Sequence, residues 1–245
     1  SSQLLGSQND MATIRLIVYQ ENVVRRNVTI MWFANFFIAS SMTMILPFIS
    51  LYIESLGNFT ESYVQTWSGL IFGVTFVTAF IFSPIWGKIG DKYGRKNILI
   101  ISATGLGLSV LLMGFATSVF QLFMLRFFMG IFTGFIPMSQ AFISTQTPKE
   151  TAGKVLGTLQ TASVTGTLMG PLFGGVIADN IGYGATFQLV SISIFLSAFI
   201  VKFGIKELQL KVSDVKDRRS YSSKEVIQRI IGHPVLLIVM LTSTL

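Results

Sequence analysis

Three groups of residues have types and spacings that permit chemistry. Asp91 precedes Arg95 by one helical turn and is flanked by Gly87, Lys88, Lys92, Gly94 and Lys96, so a carboxylate and a guanidinium fall within pairing reach. Gly87 and Gly94 are expected to let the backbone turn tightly there. Arg126 stands alone in an apolar run from Leu122 to Gly134, with Gly130 and Gly134 following at four-residue intervals on one helical face. Gly157, Gly166, Gly170, Pro171, Gly174 and Gly175 make the third group. Gly166, Gly170 and Gly174 form a flat strip for close helix approach, while Pro171 removes a backbone donor and weakens the helix. An ion pair at a helix end, a cation in apolar surroundings and a bendable contact suit a switching device. Each group also has a plainer reading: a solvated basic turn, an arginine that snorkels to headgroups, and static glycine packing. No nucleophile, base and orienting acid occur in a recognisable arrangement, so an enzyme is not expected.

The elements that must position these residues are water-excluding. Of the 245 residues, 51% are hydrophobic and only 12% charged, and mean hydropathy is +0.66. Apolar stretches between the charged clusters are long enough to cross about 30 Å of hydrocarbon. Six spans are predicted, at about 28–53, 63–86, 97–117, 119–143, 155–178 and 185–204, with a seventh starting at Pro234 and running to Leu245. No secretory pattern precedes them, and residues 1–26 read as a tail. Its first ten residues suit a tag or tail, while Met11 to Arg26 suit a surface-lying helix. The absence of Cys excludes disulfides and thiol chemistry, and the single His233 disfavours a histidine metal cage.

The formal charge of +7 is not a nucleic-acid signature, because the basic residues lie in short loops without interleaved aromatics. All 18 Lys and Arg residues except Arg126 fall in the tail, the second and fourth loops and the segment after the sixth span. The alternate loops carry acids such as Glu54, Glu61 and Asp179. Basic loops stay cytoplasmic, so the amino terminus is expected inside. Residues 206–233 read as a cytoplasmic linker containing an amphipathic helix, with Ser222 and Glu225 as a capping box and Val226, Ile227, Ile230 and Ile231 as its apolar stripe. The simplest role is to join two helical halves; binding anionic lipid is the alternative.

The chain also repeats itself. Pro84, Gly87, Asp91 and Gly94 recur as Pro171, Gly174, Asp179 and Gly182, and Pro47 recurs as Pro137, at nearly equal offsets. Spans one to three and four to six therefore read as repeats, and with an odd number of spans each the two must be inverted in the membrane.

The loop Gly87 to Lys96 matches G-x-x-x-D-[RK]-x-G-R-[RK], the signature of the major facilitator superfamily. Leu122, Arg126, Gly130 and Gly134 resemble that superfamily's fourth-helix motif. The run from Gly157 to Gly175 fits the antiporter pattern G-x8-G-x3-G-P-x2-G-G at every fixed position. The chain from about residue 27 to 205 thus resembles the amino-terminal half of a 12-helix drug:proton antiporter of that superfamily. The resemblance implies an all-α membrane fold, a six-helix bundle built as a 3+3 inverted repeat, plus the start of a seventh helix. It further implies a carboxy-terminal six-helix half, a bacterial inner-membrane location and alternating-access export of small amphiphilic compounds against protons, with the proton gradient as driving force and no cofactor. Under it, Asp91, Arg95 and the glycines and lysines around them gate, Arg126 and Asp91 serve proton coupling, and spans one, two, four and five line the cavity.

Asn35, Phe36, Met42, Phe72, Phe76, Met138, Gln140 and Gln160 are the candidate lining residues, since aromatics and Met give adaptable apolar contact and amides orient a ligand. The six spans contain no membrane-centre Asp or Glu. A titrating group is then either Asp91, or an acid of a second half, or coupling is of another kind. Carriers of sugars, organic acids or lipids share the fold, and a non-transporting membrane receptor or structural bundle is the alternative of a different class.

Overall fold

The computed structural model describes residues 2–207, with side chains from residue 18 onward. The amphipathic helix expected near Ser222 and the seventh span expected from Pro234 lie outside the described residues. Eight helical segments make six passes. α1 (Ser2–Met44) and α2 (Phe48–Ser55) form one bent pass, followed by α3 (Glu61–Tyr93) and α4 (Arg95–Met113). α5 (Val119–Ile131) and α6 (Phe135–Gln146) form the fourth, and α7 (Lys149–Ile181) and α8 (Tyr183–Gly204) complete the bundle. Five helices are long and apolar enough to cross a membrane, or six when the α1–α2 pair, bent by 50°, counts as one.

Local chemistry sets the boundaries. Thr60 and Ser118 cap α3 and α5, their hydroxyls accepting from the Tyr63 and Gln121 amides at 3.4 and 3.2 Å. Pro47 cannot donate, so the chain tightens into a turn at Ile45–Pro47, where the Leu46 amide takes the Thr43 carbonyl at 3.2 Å. The α5–α6 break at Phe132–Gly134 has the same form, with Pro137 in the first turn of α6. Pro84 and Pro171 instead sit inside unbroken helices. α3 and α7 therefore run beyond the spans predicted for them, to Tyr93 and Ile181. Each stops at a glycine of positive φ, Gly94 at 93° and Gly182 at 80°, whose amide bonds the carbonyl four residues back at 3.0 and 2.9 Å.

Two expectations are corrected. Gly87 is not a turn residue: it lies within α3, and the turn is confined to Gly94. The face shared by Arg126, Gly130 and Gly134 extends only through α5, because Gly134 falls in the α5–α6 break. Residues 2–26 are helical and continuous with the first pass, as the helix expected over Met11 to Arg26 allows.

The 3+3 repeat is visible in the elements themselves. Each half is a proline-broken pass, a 33-residue helix with an internal proline, and a shorter helix. α1 packs along α7, α4 along α8, and α3 along α5. α4 and α8 are the better-buried spans, and Leu99, Leu106, Val110, Ile194 and Val201 fill the space about them. Between such helices close packing, rather than expulsion of water, supplies the cohesion.

Candidate functional site

α4 and α8 stand behind the other passes, so α1, α3, α5–α6 and α7 are left to enclose a cavity of about 890 Å³. Its wall is largely apolar, with Leu46, Phe76, Phe80 and Ile136 among the lining residues. Both broken passes reach it: Leu46 belongs to the first break, Thr133 and Gly134 to the second. A break frees carbonyls from the helical ladder, and such backbone is tolerated at membrane depth where it borders a cavity.

Arg126 lies on this wall, 3% exposed, with Nε and Nη2 buried and lacking any acceptor. Its own carbonyl accepts from the Thr75 hydroxyl at 3.3 Å, which ties α5 to α3. One turn later Gly130 brings the helices together: a Cβ there would lie 2.6 Å from the Thr75 carbonyl oxygen. An arginine in this position is costly unless a partner or a hydrated cavity meets it.

The glycines of α7 fall into two sets. Gly166, Gly170 and Gly174 are buried against α1 and the break that follows it. A Cβ on Gly166 would stand 2.5 Å from the Phe36 carbonyl oxygen, and one on Gly174 would stand 2.8 Å from that of Met44. At Gly170 it would run into Thr43 Oγ1 and the Ser40 carbonyl oxygen. Gly157 and Gly175 have nothing within 4 Å of such a Cβ. Pro171, on the exposed face next to Gly170, faces away from this contact.

At the basic end of α3, Arg95 donates to Asp91 Oδ1 through Nη2 at 2.7 Å and through Nε at 3.2 Å. Asp91 is 65% exposed, so this pair is strongly screened. Both residues border a second, smaller cavity of about 170 Å³ between α3 and α6, together with Trp86, Gly87 and Met138. Lys92 is exposed and extends over the Tyr93 ring. Lys96 points elsewhere and donates to the Ile205 carbonyl at 2.6 Å, just beyond α8. Beside it the fully buried Asn27 amide bonds both backbone groups of Lys206, donating to its carbonyl at 2.7 Å and accepting from its N–H at 3.2 Å.

Of the eight candidate lining residues, Met42 and Phe76 line the large cavity. Phe72 packs in a tilted pair with Phe76, ring centroids 4.8 Å apart, without itself lining it. Asn35 is fully buried and accepts from the Ser139 hydroxyl at 2.9 Å, which makes it a helix–helix contact. Met138 packs over Gly90. Phe36 stacks on Trp32, and Gln140 donates to Gln160 at 2.7 Å across α6 and α7; none of these lines the large cavity either. Sequence reasoning missed Thr43, Thr75, Phe80, Thr133 and Thr167, although mid-span prolines beside small and hydroxyl residues were the available signal.

Comparison with known proteins places this arrangement. The model of the Major Facilitator Superfamily matches residues 31–245. The MFS-type transporter YuxJ of Bacillus subtilis is 54% identical over 215 residues, covering 88% of this chain and 55% of YuxJ. The multidrug resistance protein MdtG of Enterobacter lignolyticus is 38% identical over 221 residues, 90% of this chain and 52% of that protein, and MdtG of Salmonella typhi is 41% identical over 189. The chain thus spans about half the length of the curated relatives it matches. Among solved structures, a bacterial homologue of the lysosomal transporter Spinster, inward-facing and unoccupied, superposes with a TM-score of 0.64 at 18% identity, over 88% of this chain and 50% of that one. The human organic anion transporter MFSD10 gives 0.64 at 20%, over 73% and 47%. A six-pass 3+3 bundle with these motifs and these relatives leaves one assignment: the chain is an integral membrane protein and belongs to the major facilitator superfamily.

Proposed function

We propose that this chain is the amino-terminal half of a secondary transporter that exports small amphiphilic compounds by proton antiport, through alternating access, across a bacterial inner membrane with its amino terminus in the cytoplasm. The observation that carries the reading is the half-open cavity: apolar walls hold one buried cation, and the α1–α7 contact lies directly behind it. The multidrug naming of the MdtG relatives supports the cargo class. A second six-helix half completes the cavity and alternately opens it to each side.

Asp91 and Arg126 are the proposed coupling residues. Asp91, paired with Arg95 where α3 meets α4, marks the proposed gate at the basic end of the bundle. Arg126 sets the electrostatic level of the cavity, so a proton arriving on a facing acid and a cargo molecule compete for one field. The contact strip Gly166–Gly174 supplies a surface along which α7 can shift against α1 without side-chain interlock.

The test is flux. The complete protein in liposomes, loaded with an amphiphilic dye, should move dye in the direction opposite to an imposed proton gradient and stop when an uncoupler collapses it. Dye movement indifferent to the gradient would refute antiport, and counterflow with sugars, organic acids or lipids in place of dye would reassign the cargo.

A further inference from the structure

The large cavity has one charged lining residue among those described, Arg126, and nothing in the structure neutralises it. A guanidinium offers five N–H donors and no acceptor, so its needs are met only by oxygen atoms brought to it. The nearby hydroxyls donate to helix carbonyls and do not turn their oxygens to it. Thr43, Thr133 and Thr167 donate to the helix carbonyls of Ala39, Gly130 and Ser163 at 2.9, 2.8 and 2.8 Å. Thr75 donates at 3.3 Å to the carbonyls of Ile71 and Arg126 itself. None of them reaches the Arg126 side chain, and its Nε and Nη2 stay unpartnered although the residue is only 3% exposed. Around this cation the wall is apolar: Leu46, Phe76, Phe80 and Ile136.

The complementary molecule has an apolar body and one oxyanion. An amphiphilic cation would meet like charge at close range in surroundings that screen poorly, whereas a carboxylate or sulfonate can take paired N–H donors from one guanidinium. We propose that the cargo of this cavity is an amphiphilic anion whose oxyanion pairs with Arg126. The proposal rests on the transporter reading above and narrows its cargo class. The same carboxylate chemistry has a second source, an acidic side chain of the proposed second six-helix half, and the experiment separates the two.

The complete protein in detergent, with no proton gradient, is titrated with three probes of one shape: naphthylacetate, naphthylacetamide and naphthylmethylammonium. Naphthylacetate should bind at least about tenfold more tightly than the amide, with the ammonium weakest. Arg126→Gln should remove the advantage of the acid while leaving amide affinity within about threefold; Arg126→Lys should keep part of it, since a point charge replaces the fork. Amide or ammonium binding as tightly as the acid would overturn the proposal, because Arg126 would then already be neutralised by a carboxylate of the protein. Equal weakening of all three probes by Arg126→Gln would also overturn it, by showing a packing role. Should Arg126→Gln fail to fold, as judged by gel filtration, the wild-type ranking and Arg126→Lys decide. Loss of gradient-driven flux with the acid preference intact would defeat only the antiport reading; flux with no acid preference would defeat only this proposal.

Discussion

α3 and α7 are repeat mates that the fold uses differently. Both are 33 residues long, both keep a proline inside, and both end at a glycine of positive φ. α7 lays Gly166, Gly170 and Gly174 against the backbone of α1, whereas α3 meets α5 through a glycine that belongs to α5, Gly130. α3 is also the least buried of the spans and lends its exposed phenylalanines to the cavity. At their ends, Asp91 is held by Arg95, while Asp179 has no ion-pair partner among the described residues. The two repeats share the backbone pattern, and the side chains around it assign one to helix contact and the other to the cavity and its basic end.

The largest effect should come from filling the α1–α7 contact. Gly170→Leu should reduce flux at least about tenfold while the protein still inserts, because overpacking costs about 1–3 kcal/mol and the backbone of α1 cannot move aside cheaply. Gly157→Leu, in open space, should stay within about twofold of wild type by the same assay. Equal damage from the two would dissolve the division within the glycine motif. Asp91→Asn should come next, lowering flux about tenfold with little change in thermal stability, since an exposed pair contributes only about 0–1 kcal/mol. Asp179→Asn should leave flux unchanged; similar losses in both would mean that the acids act alike despite their different partners.

Smaller and symmetrical effects are expected where the copies agree. Gly94→Ala and Gly182→Ala should each cost about 1–2 kcal/mol in thermal unfolding, because both demand a left-handed backbone. A loss at one position only would show that the two helix ends are not equivalent.

Much of this architecture was legible in the residues. The six passes follow from apolar length, and the repeat from the recurrence of Pro84, Gly87 and Asp91 as Pro171, Gly174 and Asp179. The close approach of α7 follows from glycine spacing. What proline does at each site was not legible: Pro47 and Pro137 accompany breaks, Pro84 and Pro171 do not. The outcome depends on where the freed carbonyl finds a donor, and that is a tertiary property. Gly87 misled for a related reason, because a glycine stays helical where the ladder continues through it. The cavity wall was the least readable part. Asn35 and Met138 are polar or adaptable enough to face a ligand, yet the structure uses them for contacts between helices. Composition does not set the rotational phase of a helix.

The comparison stands on one requirement, that the far ends of α3 and α7 emerge on opposite sides of the membrane. The chain has no cysteine, and Tyr93 and Asp179 are exposed, so Tyr93→Cys and Asp179→Cys can be labelled singly with a membrane-impermeant maleimide on intact cells. Asp179→Cys should react from outside and Tyr93→Cys only after the cells are opened. Reaction of both from the same side would contradict the inverted repeat.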